Sequence, residues 1–499
     1  MRGLPLRVML AVSALTGGPA APAQPTAPTL PAVVLGALQR AQLPPEALVA
    51  WVAEVGSAGG APRLAHRPEQ PVNPASLVKL YTTGAALELL GPAWTWTTPV
   101  LTTGSIDDGV LRGDLVIQGR GDPTLAIERV WGLLRQVQQR GIAEVRGDIV
   151  LDGSAFALAP HDPGEFDGER HRPYNVQPDA LLLNLKSITL GFVPEPARGV
   201  ARVTSDVTLA GVQVDASVPL AGGDCGDWRG ALAADLSDPA RLRLAGRYPA
   251  ACGERQWPLA YAEPETYNAR LVEATWRELG GRLGGRVRNA DTPAAALPLF
   301  ELASPPLAAV VRDINKFSNN VMAQQLFLTL ALQAPPPRAM GCRGASMCAV
   351  RDDAARDTVA QARELLQTLV RERAACADGE LAIDNGSGLS RSARSSARCL
   401  GAWLQALWAS PAMPELMSSL PVTGIDGTAR RPGRSWGAAL GRAHLKTGSL
   451  RDAMGLAGYV LGVSGRRWAF VAIVNHPNAG AARPVLDALV EWTAEDGAQ

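Results

Sequence analysis

Residues 73–79 read NPASLVK, and this stretch decides how the whole chain is interpreted. Asn73 and Pro74 are typical of a helix start, because asparagine caps exposed backbone N–H groups and proline suits the first helical position. Ser76 and Lys79 then lie three positions apart, on one face of the first turns. A lysine amine so near a serine hydroxyl can remove its proton, so the stretch predicts a nucleophilic serine.

Lysine is scarce in this chain: only four of its 48 basic residues are lysine. Arginine stays protonated and cannot act as a base, whereas burial or a neighbouring cation can make a lysine amine neutral. Lys79 and Lys446 stand in motifs that need this chemistry, so both are predicted to be catalytic. Lys316 is interpreted as a solvated charge flanking the site, and Lys186 as a surface lysine.

Three short motifs together point to acyl transfer through a serine. In chain order they are SxxK at residues 76–79, SxN at 318–320 and KTG at 446–448. Ser76 is the predicted nucleophile and Lys79 its base. Lys446 is predicted to lower the pKa of Lys79 by like-charge repulsion and to attract a substrate carboxylate. Ser318 is predicted to relay a proton to the departing amine.

The other motif residues are suited to holding a substrate. Asn320 is predicted to bind a substrate amide through its donor and acceptor groups, and Thr447 to bind the carboxylate. Gly448 lets the substrate lie close to the strand. The backbone N–H groups of Ser76 and Ser449 are the predicted oxyanion hole.

Hydrophobic patterning predicts an α/β (α+β) fold with helices around an antiparallel sheet. Strands are predicted from both chain ends, and helices are predicted over 74–90, 125–140, 306–332 and 352–375 and from 482 onward. The strands at the chain ends are expected over 48–55, 63–66, 443–450, 455–463 and 467–475. Between them, residues 99–297 have a glycine-rich, β-like texture typical of one or more inserted domains. The main domain is therefore predicted to comprise residues 24–98 and 298–499.

The N-terminus has the pattern of an export signal: early arginines, an apolar run and small residues ending at Ala23. Residues 1–23 are predicted to be a signal peptide that is cleaved near Ala23, and the mature chain is predicted to be periplasmic. No other stretch approaches the roughly 18 apolar residues that a membrane span needs. A formal net charge of +1 gives no reason to expect nucleic acid as a partner.

Six cysteines suit an oxidising compartment. Short loop closure favours three local disulfides, although six cysteines allow 15 pairings. The favoured pairs are Cys225 with Cys252, Cys342 with Cys348, and Cys376 with Cys399. Neither a CxxC pair nor an HExxH motif occurs, so no metal or other cofactor is expected.

Beyond the three motifs, longer strings resemble a known family. They are GRGDPTL at 119–125, DNGSGLSR at 384–391 and LPVTGIDGT at 420–428. Together with the motif set, they resemble the low-molecular-mass class C penicillin-binding proteins, the D-alanyl-D-alanine carboxypeptidase/endopeptidase family. The resemblance implies a penicillin-binding serine transpeptidase/β-lactamase-like domain with further domains inserted between SxxK and SxN. The proline-rich segment 334–348 departs from the expected pattern.

The resemblance implies a serine D,D-peptidase that cleaves the D-Ala-D-Ala termini, and possibly the cross-links, of peptidoglycan. Peptidoglycan stem peptides and β-lactams are the implied partners. Two alternatives stay open: a β-lactamase, against which the long insertion argues, and a catalytically inactive wall-binding protein. The balance of carboxypeptidase and endopeptidase action also stays open, as does dimerisation.

Overall fold

The computed structural model describes residues 30–56, 60–333, 357–430 and 436–497. The predicted signal peptide, the proline-rich segment and the predicted pair of Cys342 with Cys348 lie outside these ranges. Within them, none of the helices combines the length and the apolar character that crossing a membrane requires.

The described part of the chain contains eleven α-helices, nine short 3₁₀ helices and 24 strands. The helices are α1 (Ala32–Arg40), α2 (Val78–Leu90), α3 (Ile127–Gln139), α4 (Trp228–Ala231), α5 (Pro264–Glu278), α6 (Leu307–Phe317), α7 (Asn320–Gln333), α8 (Thr358–Ala374), α9 (Ala397–Trp408), α10 (Met413–Ser419) and α11 (Arg483–Ala494). The first twelve strands are β1 (Leu48–Glu54), β2 (Leu64–His66), β3 (Thr97–Thr102), β4 (Ser105–Asp107), β5 (Val110–Arg112), β6 (Leu115–Gln118), β7 (Glu144–Val145), β8 (Ile149–Asp152), β9 (Ser187–Glu195), β10 (Val200–Ser205), β11 (Gln213–Val214) and β12 (Ser217–Ala221). The others are β13 (Ala234–Asp235), β14 (Arg241–Leu244), β15 (Tyr248–Pro249), β16 (Arg255–Ala260), β17 (Arg282–Leu283), β18 (Val287–Asn289), β19 (Leu297–Ala303), β20 (Leu381–Ala382), β21 (Arg394–Ser395), β22 (Ala443–Ser449), β23 (Ala453–Leu461) and β24 (Arg467–Asn475).

The central sheet joins the two ends of the chain. Its strand order is β2-β1-β24-β23-β22, and every neighbouring pair is antiparallel. The predicted α+β fold with an antiparallel sheet built from both chain ends is therefore confirmed. Because β22 stands at one edge, the KTG residues have a neighbouring strand on one side only.

Alternating side chains of the central strands fill two different cores, as the period of two in a β-strand requires. On β24, Val471 and Ile473 pack into the core shared with α2 and α6–α10. Phe470, Ala472 and Val474 face the opposite core, to which α1 and α11 contribute. The sheet thus lies between two helical layers, which explains why β1, β23 and β24 are almost continuously apolar.

The intervening region builds its own sheets and its own core. Two mixed sheets have the orders β18-β8-β6-β3-β19 and β17-β7-β5-β4, and a third has the order β15-β12-β10-β9-β16. One apolar cluster unites α3, α5 and these sheets. The domain boundaries at 98/99 and 297/298 stay a prediction. Each of them falls within a strand, β3 or β19, and these two strands pair with each other.

Two of the three predicted disulfides are present. Cys225 is bonded to Cys252, and Cys376 is bonded to Cys399. The second bond ties the end of α8 to the start of α9, beside the helical core. Both pairs are therefore confirmed.

Replacing Cys376 and Cys399 together by serine is expected to lower the free energy of unfolding by about 3 kcal/mol. The bond restricts the unfolded chain over a separation of 23 residues. Cross-links that close loops of this size typically stabilise the folded protein by that amount. Denaturant titration of the oxidised protein and of the variant measures the difference. Equal denaturation midpoints would show that the bond is not formed in the isolated protein.

Candidate active site

The predicted nucleophile lies in a short 3₁₀ turn, Ala75–Leu77, directly before α2. The side chain of Asn73 accepts the N–H of Ala75 at 2.9 Å, and its backbone N–H donates to Asn475 Oδ1 at 2.7 Å. This asparagine thus joins the turn to β24. The prediction that Pro74 is the first residue of the α-helix is wrong, because Ala75 adopts a positive φ of 49° and the α-helix begins at Val78.

Lys79 meets the serine and two other acceptors. Its Nζ lies 3.1 Å from Ser76 Oγ, 2.7 Å from Asn320 Oδ1 and 2.6 Å from the carbonyl oxygen of Ser387. The side chain is fully buried. Burial holds the pKa of Lys79 well below its ordinary value, and the charge of Lys446 lowers this pKa further. A neutral amine is thereby favoured beside the Ser76 hydroxyl.

The SxN motif lies at a sharp corner between two helices. Ser318 adopts the left-handed conformation (φ 57°) that ends α6, and α7 begins at Asn320. The helical pattern predicted over 306–332 is therefore found as two helices, which the corner at Ser318 separates. The turn aims Ser318 at Lys446, whose Nζ lies 2.7 Å from Ser318 Oγ, and aims Asn320 at Lys79.

The KTG strand packs directly against the serine turn. A Cβ on Gly448 would lie 3.0 Å from the carbonyl oxygen of Pro74, so a glycine permits this close approach. Lys446 is fully buried, and burial lowers its pKa to about 7. The hydroxyl of Thr447 donates to Thr428 Oγ1 at 2.8 Å.

The position of Ser449 suits the predicted oxyanion hole. N–H groups along an antiparallel strand alternate in direction. The Leu445 N–H points away from β23 and donates to the carbonyl oxygen of Pro421, so the N–H of Ser449, four residues later, points to the same open edge. Ser76 and Ser449 line one cleft.

Residues 385–388 belong to the site but were not predicted as site residues. The carbonyl oxygen of Ser387 accepts a hydrogen bond from Lys79. Asn385 Oδ1 accepts the N–H groups of Ser387 and Gly388, each at 3.0 Å, and so shapes the loop. Gly388 has φ +78°, and a Cβ there would lie 2.0 Å from the carbonyl oxygen of Ala75. The string DNGSGLSR was the available signal, since it contains all three residues.

The cleft in front of the serine has a volume of about 970 Å³. Part of its wall comes from the intervening region, which contributes Phe166, Tyr174 and Leu185. Arg391, from the C-terminal part of the chain, also lines the cleft, and its guanidinium lies 4.4 Å from the ring centre of Phe166, a cation–π contact. The cleft can therefore hold an extended ligand between both parts of the chain.

Neither Lys186 nor Lys316 is a solvated charge, so both interpretations are wrong. Lys186 is buried, and its Nζ lies 2.6 Å from Asp179 Oδ2. Lys316 is also buried, with its Nζ 2.6 Å from Asp426 Oδ2. The partner of Lys316 is 110 positions away along the chain, so local sequence does not reveal that contact. Asp179 is close to Lys186 in sequence, but their contact depends on how the chain turns between them.

Comparison with known proteins finds the same family along almost the whole chain. The model of the D-Ala-D-Ala carboxypeptidase 3 (S13) family matches residues 37–496. The chain is 25% identical to the D-alanyl-D-alanine carboxypeptidase DacB of Haemophilus influenzae, over 81% of each chain. It is 27% identical to the D-alanyl-D-alanine carboxypeptidase of an Actinomadura species, over 90% of this chain and 82% of that relative.

The fold is also found among solved structures. Penicillin binding protein 4 of Haemophilus influenzae is similar with a TM-score of 0.70 and 22% identity, over 92% of this chain and 97% of that one. A predatory endopeptidase of Bdellovibrio bacteriovorus is similar with a TM-score of 0.51 and 14% identity, over 90% and 92% of the two chains.

Proposed function

The chain belongs to the D-Ala-D-Ala carboxypeptidase 3 (S13) family and is a serine-type D-Ala-D-Ala carboxypeptidase, and we propose the following residue roles for its reaction. Ser76 is the nucleophile and Lys79 its base. The observation that carries this assignment is the contact of 3.1 Å between a buried, pKa-lowered amine and the Ser76 hydroxyl.

In the acylation step, neutral Lys79 takes the proton of the Ser76 hydroxyl while Oγ forms a bond to the carbonyl carbon of the penultimate D-alanine. The N–H groups of Ser76 and Ser449 stabilise the resulting oxyanion. The C–N bond then breaks, and the departing amine receives a proton from Lys446 through the hydroxyl of Ser318. The 2.7 Å contact between Lys446 and Ser318 supports this relay.

In the second step, water attacks the acyl-serine. Its proton goes to Lys446 through Ser318, the bond from Ser76 Oγ to the acyl carbon breaks, and Oγ regains the proton held by Lys79. Asn320 holds the substrate amide, and Thr447 and Lys446 bind the terminal carboxylate. Gly448 keeps the strand open to the peptide.

We propose that the substrates are peptidoglycan stem peptides and that β-lactams acylate the same serine. A structure of Haemophilus influenzae penicillin binding protein 4 in complex with a β-lactam has this fold, which supports the proposal. Cross-links are proposed as substrates too, because a cleft of about 970 Å³ has room for a second peptide beyond the scissile bond.

The experiment is to label the protein with a fluorescent penicillin and then chase with unlabelled drug. A persistent adduct that maps to Ser76 supports the peptidase. Rapid loss of the label points to a β-lactamase, and no label at all points to an inactive wall-binding protein. Mass spectrometry of digested peptidoglycan measures terminal D-alanine release and cross-link cleavage separately.

We also propose that the protein is exported to the periplasm. The disulfides of Cys225 with Cys252 and of Cys376 with Cys399 support this, since disulfides persist in oxidising compartments. Residues 99–297 are proposed to form the inserted unit, because their apolar cluster is largely separate from those of the helical layers.

Replacing Lys446 by arginine is expected to lower the acylation rate by about 10- to 100-fold, because a planar guanidinium group takes the place of the compact ammonium beside Ser318. The pH profile should change as well. Acylation needs protonated Lys446, whose pKa is about 7, so the wild-type rate should fall as the pH rises above that value. Arginine stays protonated, so this fall should disappear. Acylation rates between pH 5 and 10 provide the measurement, and an unchanged alkaline limb would assign that limb to another group.

A further inference from the structure

Lys316 is a buried cation that the proposed reaction leaves without a role. It lies in the last turn of α6, two residues before Ser318. Its side chain is almost completely buried, and its Nζ donates to Asp426 Oδ2 at 2.6 Å and to the carbonyl oxygen of Leu420 at 2.7 Å. A buried ammonium is costly unless it is paired and hydrogen-bonded, so these contacts hold α6 and residues 420–426 together.

Residues 420–428, called here the edge segment, run along the outer edge of β22. The carbonyl oxygen of Pro421 accepts the N–H of Leu445 at 2.8 Å, and the N–H of Thr423 donates to the carbonyl oxygen of Ala443 at 3.0 Å. These bonds lie directly before Lys446 in the strand. The edge segment therefore sets where the KTG residues stand.

Asp426 organises the edge segment from within. Its Oδ1 accepts the N–H of Val422 at 2.8 Å, while its other oxygen accepts from Lys316. The backbones also meet, because a Cβ on Gly427 would lie 2.7 Å from the carbonyl oxygen of Lys316. One residue further, Thr428 accepts the hydroxyl of Thr447. A continuous set of contacts thus runs from Lys316 to the KTG motif.

The other titratable group beside this pair is held toward its neutral form. His444 lies on β22, where burial lowers its pKa and the charge of Lys316 lowers it further. Its Nδ1 lies 3.1 Å from the carbonyl oxygen of Met417. The charge of Arg467, on β24, also lowers the pKa of His444. The positive charge in contact with Asp426 is therefore that of Lys316.

We propose that Lys316 is a positioning residue for the acyl transfer. Through Asp426 and the edge segment it holds β22 at the distance from the Ser318 corner at which Lys446 reaches the serine hydroxyl, 2.7 Å. The inference rests on the proposed roles of Ser318 and Lys446. It gives Lys316 a role in geometry rather than in proton transfer.

The test is a double-mutant cycle with Lys316→Met, Asp426→Asn and the double variant. Each single variant is expected to acylate about 10- to 100-fold more slowly, since a shift of about 1 Å at reacting groups costs this much. The fall should appear in kcat for a D-Ala-D-Ala peptide more than in KM. The double variant should be no slower than Lys316→Met alone, because both changes break the same contact.

Lys186→Met is the matched control, since it removes another buried lysine that is paired with an aspartate at the same distance, 2.6 Å. It should lower the melting temperature and leave the acylation rate of the folded protein unchanged. A purely stabilising role for Lys316 would give that same result.

A wild-type rate in folded Lys316→Met, or additive losses in the double variant, would overturn the inference. If Lys316→Met does not fold, Asp426→Asn decides alone, because the side chain of Asp426 is 41% exposed and tolerates the change. Failure of the wild type to label at Ser76 would instead overturn the proposed function. The two failures are therefore distinguishable.

Discussion

Replacing Ser76 with alanine is expected to abolish penicillin labelling and to lower the turnover of a D-Ala-D-Ala peptide by about 10⁶-fold, the scale on which removing an acyl-transfer nucleophile acts. The reason is that the acyl group bonds covalently to Ser76 Oγ, so without this atom no acyl-enzyme forms. Lys79 would keep its contacts with Asn320 and Ser387, so the fold of the site should survive. Intact-mass spectrometry after penicillin treatment measures the adduct directly.

Ser418→Ala is a suitable control, because this serine is exposed and its hydroxyl donates to the carbonyl oxygen of Glu415 in its own helix. It should label like the wild type. An adduct on the Ser76→Ala variant, or peptide mapping of the wild-type adduct to another serine, would remove Ser76 from the mechanism.

Replacing Lys79 with arginine is expected to slow acylation by about 10²- to 10⁴-fold, the usual contribution of a general base. The charge is retained, but the guanidinium has no neutral form near pH 7 and cannot take the Ser76 proton. The larger guanidinium must also fit a fully buried site in which three acceptors surround the single nitrogen Nζ of Lys79. Stopped-flow acylation with a chromogenic penicillin provides the rate.

Lys186→Arg serves as the comparison for this variant. Both changes place a guanidinium in a buried lysine site, so both should reduce stability. The folded Lys186→Arg protein is nevertheless expected to acylate at the wild-type rate, because Lys186 pairs with Asp179, which lies outside the three motifs. A wild-type rate in Lys79→Arg would refute the role of Lys79 as base. A folded but inactive Lys186→Arg would show that the intervening region takes part in the chemistry.

Much of the central sheet could be predicted because its signals are local. The strand predicted over 467–475 is found as Arg467–Asn475, and that over 443–450 as Ala443–Ser449. Arg467–Asn475 is buried on both faces and is an apolar run, so no distant contact is needed to recognise it. The break at Ser318 was missed because helical patterning continues across it, and its left-handed conformation depends on packing at the corner.

The sequence by itself identified the candidate catalytic residues, since one turn of chain separates Ser76 from Lys79 and the other two motifs occur once each in a recognisable order. The tertiary structure alone decided how that chemistry is tuned. Ser387, which accepts a hydrogen bond from Lys79, is 308 positions away along the chain. The pKa values of Lys79 and Lys446 are lowered chiefly by burial. Burial is a property of packed segments, so no short motif records it.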